Sequence, residues 1–268
     1  MNPVEVREGD SPVILGLPHT GTHVPPAIWA RLNATGRALA DTDWHVERLY
    51  DGLLPGATQV RATFHRYVID ANRPPDGASL YPGQNTTGTV PLSDFDGRGI
   101  WVQPPGAAEV AERVADFHAP YHAALAEQVA RVRARHGFVV LYDCHSIRSN
   151  IPFLFDGELP VFSIGTLNGT TCASWVQEVA ERHCRASGQS MVLNGRFKGG
   201  WTTRHYGRPD QGIHAIQMEL AQSAYMQEAP PWTYEPQVAA RTEAVAAAQQ
   251  RSASLVEAFT RGQSRLQS

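Results

Sequence analysis

The run Phe138-Val-Val-Leu-Tyr142 constrains this chain most, because five consecutive residues leave no polar face. That is the pattern of a strand buried on both sides of a largely parallel sheet. A sheet covered on both faces needs helices, and helical stretches alternate with short β-branched runs along the chain. Val13–Leu17, Gln59–Ala62, Tyr67–Asp70, Val161–Ile164, Met191–Leu193 and Ala215–Leu220 read as further strands. Val110, Val114, Phe117 and Tyr121, then Leu125, Val129 and Val132, recur at helical spacing. Pro120 interrupts them, which predicts a break or kink near His118. Trp175 and Val179 mark a helix through Cys172–Ser187, and Val238–Phe259 has a helix-forming composition. These alternations predict an α/β chain of three layers, α/β/α, around a central mixed, mostly parallel sheet.

No linker or repeat divides the 268 residues, so one domain over 1–268 is expected. Pro74–Gly106 and Asn194–Gly212 are rich in loop-forming residues, yet Tyr81, Trp101, Trp201 and Tyr206 within them favour packed loops. No apolar run approaches the roughly 20 residues of a membrane span, and acids stand near the start where a leader would be basic and apolar. Cys144, Cys172 and Cys184 cannot all pair, so no disulfide framework is expected and a cytoplasmic setting follows. A net charge of −3 without a basic run argues against nucleic acid as a partner.

Chemistry-bearing residues gather where strands are expected to end. In open α/β sheets ligands collect beyond the carboxyl ends of strands. His19 follows the first strand in Pro18-His-Thr-Gly21, with His23 four residues on, and His145 follows the buried strand in Asp143-Cys-His-Ser146. Neutral imidazole is a common metal ligand, while a turn histidine bonded to backbone is the plain alternative. Asp143 is suited to hold the second ring nitrogen of His145. Cys144 tempts a nucleophile assignment, but its side chain should face away from that of His145 and serve as filler. Asp43 and Glu47 stand four apart, so on one helix both carboxylates project from one face. Glu219 lies inside the apolar run Ala215-Ile-Gln-Met-Glu-Leu220, where burial is costly unless the acid is paired or functional. Arg66 and the pair Asn72-Arg73 bracket another expected strand and suit carboxylate recognition.

In these motifs the sequence resembles the N-formylglutamate amidohydrolase (N-formylglutamate deformylase) family, from about Val13 to about Tyr225. Tyr67-Val-Ile-Asp-Ala-Asn-Arg-Pro74, Gly195-Arg-Phe-Lys-Gly-Gly200-Trp-Thr-Thr-Arg-His205 and Gln217-Met-Glu219 add to the likeness. The resemblance implies a zinc-exopeptidase-like (phosphorylase/hydrolase-like) fold and one Zn2+ per chain. His19 and His145 are then ligands, with Asp43 or Glu47 as the carboxylate, because Thr22 stands where a carboxypeptidase would place a His-x-x-Glu acid. It also implies Glu219 as catalytic acid and base, Asn72 and Arg73 on a substrate α-carboxylate, and Arg66, Arg204 or Arg208 on a second carboxylate. His205 or Arg66 would stabilise the oxyanion. The implied activity is metal-dependent hydrolysis of N-formyl-L-glutamate, a substrate with two carboxylates, in histidine breakdown. Three rival readings share the residues: a deacylase of N-succinyl, N-acetyl or N-carbamoyl acidic amino acids, a non-catalytic binder of acidic small molecules, and a cysteine hydrolase through Cys144.

Overall fold

The structure, a computed structural model, describes residues 1–52, 56–80 and 82–235. The expected helix Val238–Phe259, and Tyr81, lie outside the described residues. The strands are β1 (Val4–Arg7), β2 (Val13–Leu17), β3 (Thr58–Ala62), β4 (Val139–Ile147), β5 (Phe162–Gly165), β6 (Met191–Leu193) and β7 (Ile213–Ala221). They form one seven-stranded sheet in the order β1-β3-β2-β4-β7-β5-β6. The neighbours β3, β2, β4 and β7 run parallel, whereas β1 and β5 meet their inner neighbours antiparallel. The sheet is therefore mixed and mostly parallel, as the alternating pattern predicts.

Side-chain alternation sorts the sheet residues into two cores. Val140, Tyr142, Cys144, Ile216, Met218 and Leu220 pack on one face under helix Ser174–Ala186. Val139, Leu141, Ala215 and Ile14 pack on the other under the helix Ala119–His136. Each fully buried side chain of this kind contributes roughly 1.5–3 kcal/mol through removal from water. The second face matters most here. Past the apolar part of β4 and β7 it presents Asp143, His145, Gln217 and Glu219, and the parallel register sets His145 beside Glu219.

The stretch 107–136 is a helix in two parts, Ala107–Arg113 and Ala119–His136, joined by a π turn at Val114–His118. Pro120 has no N–H to give, and the Ala119 N–H bonds the Val114 carbonyl five residues back. The distortion sits where Pro120 predicted it. Two expectations differ from the structure. Tyr67–Asp70 is a turn, not a strand: Val68 N bonds His65 O, and Asp70 N bonds Thr89 O in the neighbouring loop. Its apolar run reflects burial: Val68 and Ile69 join the core between sheet and helix, and Tyr67 packs with Leu39 and Ile100. The second long loop, Asn194–Gly212, contains a short helix, Trp201–Tyr206, and a 3-10 turn at Pro209–Gln211. The edge strand β1, too short and polar to stand out in the sequence, pairs with β3.

Candidate metal centre and active site

His19 leaves the end of β2, Asp43 precedes a short helix at Val46–Tyr50, and His145 sits near the end of β4. Their side chains meet in a buried cluster. His19 Nδ1 and His145 Nδ1 are 3.2 Å apart, and Asp43 Oδ2 lies 3.2 Å from His145 Nδ1 and 3.7 Å from His19 Nδ1. The outer nitrogens are both spoken for. His19 Nε2 meets Asp70 Oδ1 at 2.7 Å, and His145 Nε2 meets Asp143 Oδ2 at 2.9 Å. A carboxylate can only accept, so each outer nitrogen carries a hydrogen and each inner Nδ1 of a neutral ring offers a lone pair.

Two lone pairs and a carboxylate oxygen thus converge with no positive group between them, a donor set that suits a divalent cation. At zinc bond lengths of about 2.0–2.1 Å, tetrahedral ligand atoms are about 3.3 Å apart, close to the separations found. Carboxylates on the outer nitrogens are the usual support for such ligands. Without a cation the cluster holds protons instead. Burial works against charge on His145, but Asp143 and Asp43 outweigh it and hold the imidazolium well above its ordinary range. Burial also works to raise the Asp43 carboxyl. The Arg66 guanidinium, 2.5 Å away, and the two histidines overcome it and keep Asp43 ionised.

A cleft opens on this cluster, lined by His19, His145 and Glu219, and by Arg66, Arg73 and Arg196. Burial lifts the Glu219 carboxyl to about 7, and Gln217 Nε2 donates to its Oε2 at 3.1 Å. Arg66 is buried, with its Nε unpaired. Arg73 Nη2 donates to the Thr86 and Thr87 hydroxyls, and Arg196 donates to the carbonyls of Leu154 and Asn85.

Several residues singled out from the sequence stand elsewhere. Glu47 is not in the cluster: His45, with φ of 63°, breaks the backbone before Val46, so Asp43 and Glu47 do not share a helix face. His205 is exposed and stacks on Trp201 at 4.1 Å, outside the cleft lining. Arg204 bonds Leu80 and Gly199 carbonyls, and exposed Arg208 bonds carbonyls of its own turn, so neither lines the cleft. His23 is bridged to the Phe64 segment, away from the cluster. Asn72 lines the cleft, but its amide is committed: Nδ2 lies 3.0 Å from His145 Nε2 and 3.4 Å from Asp143 Oδ2, and Oδ1 accepts from Thr202 N. It donates to the Asp143 carboxylate that holds His145, rather than offering a free donor. Cys144 is fully buried on the opposite face among apolar side chains, which push its thiol well up. That geometry argues against the cysteine-hydrolase reading. Sequence reasoning missed Arg196, Gln217 and the tie from Asp70 to His19. Gln217, two residues before Glu219 on one strand face, was the readable one.

Comparison with known proteins places the chain in a family. The family model for N-formylglutamate amidohydrolase matches residues 11–226. An N-formylglutamate deformylase of Pseudomonas aeruginosa is 46% identical over 243 residues, covering 89% of this chain and 91% of its own. That of Pseudomonas putida is 44% identical over the same shares. The crystal structure of N-formylglutamate amidohydrolase from Ralstonia eutropha superposes with a TM-score of 0.81 at 27% identity, covering 96% of this chain and 99% of that one. The family match runs from before β2 to beyond β7, more than half of the chain, and the chain belongs to the N-formylglutamate amidohydrolase family.

Proposed function

We propose that this protein hydrolyses N-formyl-L-glutamate to formate and L-glutamate, using a divalent cation, zinc, held by His19, Asp43 and His145. The observation that carries the reading is the convergence of His19 Nδ1, Asp43 Oδ2 and His145 Nδ1 at a cleft whose wall also presents Glu219. A cation bound there supplies Lewis-acid chemistry, polarising the formyl carbonyl and acidifying water. Glu219 takes the proton of the attacking water and passes it to the amine as the C–N bond breaks, so one carboxyl serves as base and then acid. Gln217 fixes Glu219 Oε2 for that exchange. The Arg66 guanidinium lies beside Asp43 and faces the cleft, a place from which its charge stabilises the developing oxyanion.

A formyl group offers little surface, so the two carboxylates of the substrate must supply orientation. Arg73 and Arg196 are the cleft cations for them. The Arg73 bonds to the Thr86 and Thr87 hydroxyls end on neutral acceptors and can be exchanged for stronger ion-paired bonds to a carboxylate. The test is formate release from N-formyl-L-glutamate, with and without a chelator, beside the N-acetyl, N-succinyl and N-carbamoyl analogues. We expect the formyl compound to be preferred, with turnover lost on chelation and restored by zinc. Clear preference for a bulkier acyl group overturns the substrate assignment, and full activity in the chelator overturns the metal.

A further inference from the structure

Neither histidine of the metal cluster is held by the sheet alone. Both lean on the turn 70–73, where Asp70 accepts from His19 Nε2 and Asn72 Nδ2 donates to Asp143 Oδ2, the acceptor of His145 Nε2. That turn belongs to no strand, so something else must hold its backbone. Three side chains from the bulged helix reach two of its carbonyls and that of Val68, two residues before it. Arg113 Nη1 donates to Val68 O at 3.0 Å, His122 Nε2 to Ala71 O at 2.7 Å, and His118 Nε2 to Arg73 O at 3.0 Å. In a regular α-helix, residues five apart lie about 140° apart around the axis, which would turn Arg113 away from His118. The π turn between them closes a five-residue loop and brings the two into line. Four residues on, His122 falls on the same face. Burial lowers both imidazoles, His122 to about 3. They stay neutral, with hydrogen on the Nε2 that faces the carbonyl. From the other side, Thr202 N and Trp201 N at the start of the short helix bond the Asn72 side chain and carbonyl.

We propose that His118 and His122, aligned with Arg113 by the π turn, are positioning residues that preset the turn 70–73 and, through Asp70, Asn72 and Arg73, the metal ligands and a substrate-binding arginine. The proposal rests on the metal-centre reading above.

The test measures zinc affinity by competition with a chelating dye, and kcat and KM separately, in the zinc-loaded enzyme. His122→Leu removes the donor to Ala71 O, and His122→Gln keeps an N–H at a similar reach. We expect zinc dissociation to rise about 10–100-fold in the leucine variant and to recover to within about threefold in the glutamine variant. His118→Leu should raise KM about tenfold with kcat nearly unchanged, and His118→Gln should restore KM, because the carbonyl it holds belongs to Arg73. If a leucine variant does not fold, His122→Asn, polar but too short for the carbonyl, stands in for it and should lose zinc affinity likewise. A merely structural role lowers the melting temperature while zinc affinity and KM stay at wild-type values, and that result overturns the proposal. Wild-type protein that takes no zinc overturns the metal-centre reading and the positioning role with it, whereas wild-type affinity in all variants sinks only the latter.

Discussion

Buried beside His145, the Glu219 carboxyl rises from 4.5 to about 7 because water is excluded from it. Between those values the folded chain keeps a proton that the unfolded chain has released. Rising pH through that window therefore destabilises the metal-free protein, on the order of 3 kcal/mol in full. Glu219→Gln has no such proton, so its melting temperature should gain on that of wild type from pH 4.5 to 7, measured in a chelator. With Glu219 as the proposed base, turnover has the opposite sense, since that base works only when ionised. The acid limb of the rate profile should fall as pH drops, with its midpoint at or below about 7, because a bound cation favours the carboxylate. Zinc-loaded Glu219→Gln should keep its metal and lose about 10²–10⁴-fold in kcat. Gly16 sits behind the same cluster. A methyl there would stand 3.3 Å from Asp143 Oδ1 and 3.7 Å from the Tyr121 hydroxyl. Gly16→Ala should shift Asp143 off His145 and weaken zinc binding about tenfold, read by the same dye competition.

The elements explain why some of the site was legible. Strand β4 alternates strictly, so once Phe138–Tyr142 reads as a doubly buried strand, Asp143 and His145 must share a face and Cys144 must take the other. Chain geometry alone settles that much. Cys144→Ala should accordingly cost about 1 kcal/mol by loss of a buried sulfur and leave turnover within about twofold of wild type, and folded protein should resist alkylation at this thiol. Loss of turnover with zinc retained would return the cysteine to the mechanism. Where no periodic element carries a residue, the sequence is a poorer guide. Glu47 looked like a partner of Asp43 only on the premise of one helix, and the left-handed backbone at His45 removes that premise. His205 and Arg204 stand next to each other in a helix whose inner face is Thr202, Thr203 and Tyr206, and nothing in the local spacing says which face points inward.

At the scale of the molecule, the layered sheet was readable because apolar runs of strand length and helical spacings are local signals, each repeated several times. The candidate metal centre is non-local. His19, Asp43 and His145 are far apart in sequence, and only the order of parallel strands β2, β4 and β7 brings two of them and Glu219 to one end of the sheet. Strand types did not reveal that order; the resemblance of motifs stood in for it. The same separation makes a testable energetic point. Among the described residues no helix is long and apolar enough to cross a membrane, and the cation would tie three distant parts of one folded sheet together. A ligand that binds the folded state alone, at 100 times its dissociation constant, stabilises by about 2.7 kcal/mol. For a chain of this size that corresponds to a rise in melting temperature of about 5–10 °C. Thermal melts in chelator and in graded zinc should show this rise, growing with the logarithm of free zinc. His19→Ala and Asp43→Ala should each remove most of it, because either leaves only two of the three ligands. Glu47→Ala should retain the full shift. If instead Glu47→Ala loses it and Asp43→Ala does not, the carboxylate assignment is reversed.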